Sequence, residues 1–398
     1  MNKLLPRNRW LRLLLGLLLL VVLVLVAWAA VADPITVGRI LRHGTTRIDD
    51  YAKYPYRPLT ASAFPQPFKE STETGQIPQQ VILADSSQRN LEDLLESNDS
   101  IAFLVIRQGE ILYEQYYQDH GPNQISQIFS VSKSVTSALV GAAIQDGLIE
   151  SLDQPVTDFL PELADQGWDQ VTLGQLLSMT SGSDYVENDN PFGEHVIFNY
   201  TADLETRILE QRVEVEPGSE WRYKSGDNAL LGLILDRVVA PRSLTDYAQE
   251  KLWSPLGMEH DGRWSIDQQG EEGLERTWCC LAASARDLAK IGQLYLQDGV
   301  VNGQRVLPLG WVAESTRLAF ADALWGNDYC AIGVHGYGYQ WWLASQEEGD
   351  FFALGKDGQY IYVNPATDVV IVRLGWSSGD LPLSAWLSLF QYISSQRN

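Results

Sequence analysis

Hydrophobic positions change their spacing several times along the 398-residue chain, and each change predicts a different kind of element. Leu13–Ala32 is an unbroken apolar run of 20 residues without a charge, long enough to span a bilayer as a helix. Residues 33–90 show no lasting period. Segments such as Tyr54-Pro55-Tyr56-Arg57-Pro58 and Ala63-Phe64-Pro65-Gln66-Pro67 predict extended chain, a spacer lying along the body. From Ile101 the pattern turns β-rich: Ile101–Ile106 and Glu110–Tyr117, joined by the hairpin signal Arg107-Gln108-Gly109. Ser130–Gly147 predicts a helix with Val131, Val135, Leu139 and Ile144 on or near one face. Residues 150–330 carry helical patterns and irregular loops, among them Leu173–Ser178, Ala229–Val239 and Ala285–Gln297. Strands return at Gly338–Leu343, Phe351–Leu354, Gln359–Val363 and Val369–Leu374, and the chain ends in a predicted helix, Pro382–Ser395. Strands at both ends of a helical middle imply one sheet built from both ends of the chain with a helical insertion.

Charge sharpens the reading of the N-terminus. Lys3, Arg7, Arg9 and Arg12 all precede the apolar run, which favours an anchor with the rest of the chain outside the cytoplasm, on the periplasmic or extracellular side. A cleaved signal is the alternative, with Ala30-Val31-Ala32 as the small-x-small site and a secreted product. The apolar core is longer than the roughly 7–15 residues such signals use. A buried core helix is the third reading. The net charge is −22, and removing those four positive residues leaves −26 on the remaining chain. So acidic a body is a poor partner for nucleic acid. A hydrophobic fraction of 45%, with 13 Trp, 17 Tyr and 11 Phe, excludes a disordered chain. Three Cys cannot form a disulfide scaffold. A bond between the adjacent Cys279 and Cys280 would be strained. Either could pair with Cys330, and small buried thiols are the simplest expectation.

Common catalytic signatures are missing: no His-Glu-x-x-His, no Cys-x-x-Cys, no phosphate loop and no Gly-x-Ser-x-Gly elbow. His43, His120, His195, His260 and His335 are scattered without ligand spacing, so they read as surface or loop residues. One arrangement stands out, Phe129-Ser130-Val131-Ser132-Lys133 at the start of the predicted helix. Lys133 lies one turn from Ser130 on the same face, where a neutral amine can act as base to a hydroxyl. Taken alone this is weak. Serine is an ordinary N-cap residue, and Ser-x-x-Lys arises by chance about once in a chain this long.

Further motifs follow in order. Pro217-Gly218-Ser219-Glu220-Trp221-Arg222-Tyr223-Lys224-Ser225 leads into Asn228-Ala229-Leu230-Leu231-Gly232. Gly355-Lys356-Asp357-Gly358-Gln359 opens an apolar strand. Together these resemble the serine β-lactamase and penicillin-recognising superfamily, in its class C and esterase-like branch, most nearly the 6-aminohexanoate-dimer hydrolase group. Ser130-x-x-Lys133 is similar to the nucleophile motif, Tyr223-x-Ser225 to Tyr-x-Asn or Tyr-x-Ser, and Lys356-Asp357-Gly358 to Lys-Thr-Gly. Leu176-Leu177-Ser178-Met179-Thr180-Ser181-Gly182 and Ser284-Ala285-Arg286-Asp287-Leu288-Ala289 resemble two supporting motifs.

The resemblance implies an α/β (α+β) fold of the β-lactamase/transpeptidase type: an antiparallel sheet flanked by helices, with an inserted all-helical domain and the site in the crevice between them. It divides the chain into residues 1–32 as anchor or signal, 33–90 as spacer and 91–398 as the hydrolase domain. It implies an acyl-enzyme on Ser130, with Lys133 and Tyr223 sharing the base and acid roles. The backbone N–H groups of Ser130 and Gln359 would form the oxyanion hole, and Ser225, Lys356, Asp357, Gly358 and Gln359 would line the substrate. No metal or organic cofactor is implied, and the partner is a small amide or ester. Two departures, Ser225 for Asn and Asp357 for Thr, lead away from β-lactams toward linear amides or esters, because a carboxylate at 357 would repel a substrate carboxylate. The alternatives are a D-Ala peptidase or weak β-lactamase near the cell wall, or a catalytically idle, membrane-anchored binding protein. Asp184 and Tyr185 follow the Thr-Ser-Gly turn, where they could line the pocket, and a solvated loop is the preferred reading.

Overall fold

Ser100–Arg107 is apolar along almost its whole length and buried on both faces, which requires a sheet covered on two sides. A computed structural model describes residues 7–72, 77–83, 85–190, 193–320, 333–345 and 347–396, and in it this strand is central. The sheet has eight strands: β1 (Lys69–Glu70), β2 (Ser100–Arg107), β3 (Glu110–Tyr116), β4 (Gly336–Tyr337), β5 (Trp342–Leu343), β6 (Phe351–Gly355), β7 (Gln359–Asn364) and β8 (Val369–Gly375). Their order is β4-β5-β6-β7-β8-β2-β3-β1. All pairs are antiparallel except β1 with β3. Both ends of the chain therefore supply the sheet, as the pattern predicted. The β2–β3 turn is the expected hairpin, with Gln108 and Gly109 both at positive φ (51° and 75°).

Among the helices are α1 (Arg7–Ala32), α2 (Pro34–His43), α3 (Val131–Gln145), α4 (Glu194–Tyr200), α5 (Ser225–Val239), α6 (Ala285–Leu296) and α7 (Leu383–Ser395), with other short helices between them. Alternate residues of the central strands serve two cores. Leu104, Ile106, Ile361 and Val370 share one with Leu288, Ile291 and Leu294 of α6. Phe103, Val105, Tyr362 and Ile371 share the other with Trp386, Phe390 and Ile393 of α7. The close approach of α6 depends on Gly292, where a Cβ would stand 2.5 Å from Val370 Cγ1. Helices α3 and α5 pack together in the helical middle, and α3 is buried from Val131 to Ala143. The predicted strand Gly338–Leu343 is instead the two short strands β4 and β5. Cys330 lies outside the described residues.

Two features depart from the sequence expectation. A second sheet joins Tyr56–Leu59, Gly262–Ser265, Leu281–Ala283 and Ser126–Gln127. The segment read as an extended spacer also begins with α2, whose Thr36, Val37 and Ile40 are buried. Asp33 caps the helix by accepting from the Thr36 N–H at 2.8 Å, and Pro34 stands at its first position. Arg39 then ties α2 down, donating to the carbonyls of Tyr200 (3.1 Å), Thr201 (2.9 Å) and Asp267 (2.9 Å). The helical spacing was hidden because only one short face is apolar and Pro-rich segments follow closely.

Candidate active site

Ser130 stands at the start of α3, held there by an unusual residue before it. Phe129 has φ 48°, a conformation that bulky residues avoid, and its ring packs into the main core. Ser130 occupies the N-cap position with helical angles and makes no capping hydrogen bond. Its Oγ lies instead 2.9 Å from Lys133 Nζ. This sets Ser130 apart from an ordinary cap, which would spend its oxygen on the helix's own N–H groups. Lys133 is 1% exposed. Its Nζ also donates to the Trp278 carbonyl at 3.0 Å and lies 4.8 Å from the centre of the Tyr223 ring. Burial pulls this amine down to about 8 from its ordinary value, with Glu187 pulling weakly the other way.

Tyr223 completes a cluster with Ser130 and Lys133. Desolvation, then the Glu187 carboxylate, push its phenol far above the usual range, and a hydrogen bond with Ser130 only partly offsets this. The hydroxyl is therefore neutral at any working pH. The chain around Tyr223 is clamped to the Thr180-Ser181-Gly182 turn. Arg222 N–H donates to Met179 O at 3.2 Å. Lys224 Nζ donates to Ser181 Oγ at 3.3 Å, and Asp227 accepts from Ser181 at 2.7 Å and Ser183 at 3.2 Å. The motif read as supporting text is thus the support of the tyrosine.

Ser130 and Tyr223 line a cavity of about 810 Å³, near the upper end of the roughly 300–1,000 Å³ of small-molecule sites, and the buried Lys133 lies beside them. Lys356 and Asp357 line it from the turn after β6. Lys356 Nζ donates to Thr46 O at 3.4 Å. The Asp357 carboxyl is raised by desolvation, against the pull of Lys356 and Arg373. Three of the expected substrate contacts lie behind the wall. Gly358, at φ 75°, packs against Arg373. Gln359 is buried, donating to Lys356 O (3.1 Å) and Gly375 O (2.8 Å) and accepting from Gly375 N–H (3.1 Å). Ser225 is buried and reaches the cavity only through Glu187, donating to its carboxylate from N–H (2.7 Å) and Oγ (2.8 Å).

Glu187 is the main residue that the sequence reading missed. It lines the cavity with Asn188 and Asp189, and its Oε1 lies 3.3 Å from His195 Nδ1. His195 and Tyr185, read as loop residues, are both part of this wall's support. Tyr185 is buried and its hydroxyl is 2.9 Å from His195 Nδ1, while Asn199 Nδ2 is 3.2 Å from His195 Nε2. Burial lowers the imidazole, with Glu187 partly offsetting it.

The N-terminal segment was missed too: Ile40, Leu41, Gly44, Thr45, Thr46 and Tyr54 all line the cavity. Cys279 and Cys280, expected as thiols, are joined to each other and form part of the wall. Among the described residues, no group of three or more His, Cys, Asp or Glu forms a metal-binding set.

Comparison with known proteins agrees with this geometry. The Beta-lactamase family profile matches residues 88–382. The 6-aminohexanoate-dimer hydrolase of Paenarthrobacter ureafaciens is 32% identical over 308 residues, covering 73% of this chain and 76% of that protein. Two solved structures share the fold. A Bacillus anthracis protein assigned as a 6-aminohexanoate-dimer hydrolase aligns with TM-score 0.71 at 22% identity, covering 85% of this chain and 89% of that one. The octameric penicillin-binding protein homologue of Pyrococcus abyssi aligns with TM-score 0.56 at 20% identity, covering 76% and 74%. With a matched stretch spanning most of the chain, a relative above 30% identity and this sheet-and-helix architecture, the protein belongs to the Beta-lactamase family of serine hydrolases.

Proposed function

We propose that the protein hydrolyses a linear amide or ester through an acyl-enzyme on Ser130. The observation that carries this reading is the 2.9 Å contact between Ser130 Oγ and a fully buried Lys133 whose amine is lowered to about 8. Ser130 Oγ attacks the carbonyl carbon and its proton passes to Lys133 Nζ. The C–N or C–O bond then breaks, and the leaving group takes a proton from the neutral Tyr223 hydroxyl, which Lys133 replenishes. Water enters, loses a proton to the same pair and releases the acid, returning Ser130 to its starting state. In place of the expected Gln359, we assign the second oxyanion donor to the backbone N–H of Lys356, because Lys356 lines the cavity with Ser130 and Gln359 does not. The similarity to a 6-aminohexanoate-dimer hydrolase supports amide cleavage.

Among the described residues lining the cavity, the acidic Glu187, Asp189 and Asp357 outnumber Lys356, which favours neutral or amine-bearing substrates over penicillin-like anions. A D-Ala peptidase or weak β-lactamase is the less favoured reading for that reason. We further propose that α1 is a retained anchor with the catalytic body outside the cytoplasm. Trp10–Trp28 is apolar enough to span a membrane, and it is exposed from Trp10 to Val24. Its end is built into the body, where Trp28 packs with Val37, Ile40, Tyr54, Ile197 and Tyr200. Labelling with a fluorophosphonate followed by peptide mass spectrometry tests the chemistry: the adduct is expected on Ser130. Ser130→Ala should lower p-nitrophenyl butyrate turnover at least a thousandfold. Retention of more than a tenth of wild-type activity would place the nucleophile elsewhere.

A further inference from the structure

The wall of the active-site cavity and the end of the apolar N-terminal helix are one continuous piece of structure. Helix α1 ends at Ala32, Asp33 caps α2 at once, and α2 carries Ile40 and Leu41 into the cavity lining. Ten residues of helix make about 15 Å, so the cavity stands within one short helix of the point where α1 ends. The junction is packed on both sides. Leu25 and Trp28 of α1 lie against a cluster holding Val37 and Ile40 of α2 and Val196, Ile197 and Tyr200 of α4, and Arg39 bonds three carbonyls of the body.

The surface around this junction is apolar where a soluble protein would be polar. Leu41 is 63% exposed although it lines the cavity, and Ile35, on the same helix, is 59% exposed. Val186, beside Glu187 on the loop lining the cavity, is also half exposed. Arg42 is exposed on α2 as well, which suits a short amphipathic helix lying at a headgroup layer. Inside the cavity, Val196, Trp342, Leu354, Leu381 and Leu383 continue the apolar wall toward the catalytic cluster.

We propose that the cavity takes the hydrocarbon chain of a membrane-borne ester or amide, drawn from the bilayer along α2 and past Leu41 with its carbonyl at Ser130. This deepens the hydrolase reading and rests on it, and on α1 being retained. The acidic lining and the −26 body select a neutral or cationic amphiphile over an anionic one. A chain that passes from the bilayer along α2 into this 810 Å³ cavity stays among apolar groups, whereas one crossing water would lose about 0.8 kcal/mol for each methylene exposed on the way.

The full-length chain, reconstituted in phosphatidylcholine vesicles and checked by co-flotation, provides the test. Hydrolysis of 4-methylumbelliferyl oleate is measured with the ester in the enzyme's own vesicles and, separately, in enzyme-free vesicles mixed with them. The water-soluble butyrate ester serves as control. Turnover of oleate is expected to be at least tenfold faster in the shared bilayer, because confinement raises the effective concentration. Leu41→Asp should lower the oleate-to-butyrate ratio of kcat/KM at least fivefold, and Leu41 is exposed enough for the fold to tolerate the change. Butyrate hydrolysis without oleate hydrolysis, equal oleate rates in shared and separate vesicles, or an unchanged ratio in Leu41→Asp would each overturn the inference and leave the hydrolase reading standing. Loss of α1 from the vesicle fraction would overturn the inference through the anchor alone. Failure of both esters would overturn the hydrolase reading and this inference with it.

Discussion

Replacing Lys133 by Arg keeps a cation at the site and removes the proposed base. An ordinary lysine amine is neutral in only about one molecule in three thousand at pH 7. Burial lowers Lys133 to about 8, which makes it neutral in about one molecule in eleven. The fold therefore increases the reactive population about 300-fold at that pH. The protonated amine is inert as a base, so kcat/KM for p-nitrophenyl butyrate should rise about tenfold per pH unit up to pH 8 and level off above it. Tyr223 is raised too far to titrate in this window, so no second limb is expected below pH 9.5. Lys133→Arg should lose about 10²–10⁴-fold over the whole range and lose the limb near pH 8. Glu187 raises the amine, so Glu187→Gln should move the limb to lower pH. The assay is initial rate between pH 5.5 and 9.5, corrected for spontaneous ester hydrolysis. A wild-type profile flat from pH 6 to 9, or an Arg variant with more than a tenth of the wild-type rate, would refute Lys133 as the base.

Three other outcomes are expected. Asp357→Thr should lower the ratio of kcat/KM for a neutral ester to that for a β-lactam, because it removes a carboxyl group from the cavity; an unchanged ratio would assign selectivity to the Glu187 loop instead. Gly292→Ala should destabilise the fold by about 1–3 kcal/mol in urea denaturation, since its Cβ would meet Val370 Cγ1 at 2.5 Å. Cell fractionation should recover the full-length chain with membranes, and a soluble product starting at Asp33 would show that Leu13–Ala32 is a cleaved signal.

The sequence by itself determined the two-ended sheet, the hairpin at Gln108-Gly109, the pairing of Ser130 with Lys133 and the span-length apolar run. Each follows from a local rule: a period of two, a turn that needs positive φ, residues one helical turn apart, and an uncharged stretch of sufficient length. The ordered motifs brought in Tyr223, Lys356 and Asp357. What the sequence left open was the direction of side chains that no local period controls. Gly358 and Gln359 follow Asp357 directly, yet the turn after β6 sends Asp357 into the cavity and folds the other two against Arg373 and Gly375. Ser225 was read as a substrate contact, but the carboxylate of Glu187, 38 residues earlier, stands between it and the cavity. The wall from Ile40 to Tyr54 escaped detection because α2 is held in place by Arg39 bonding carbonyls near residues 200 and 267. Bonds of that kind join positions more than 150 residues apart, so they exist only once the chain has folded and leave no period in the sequence to read.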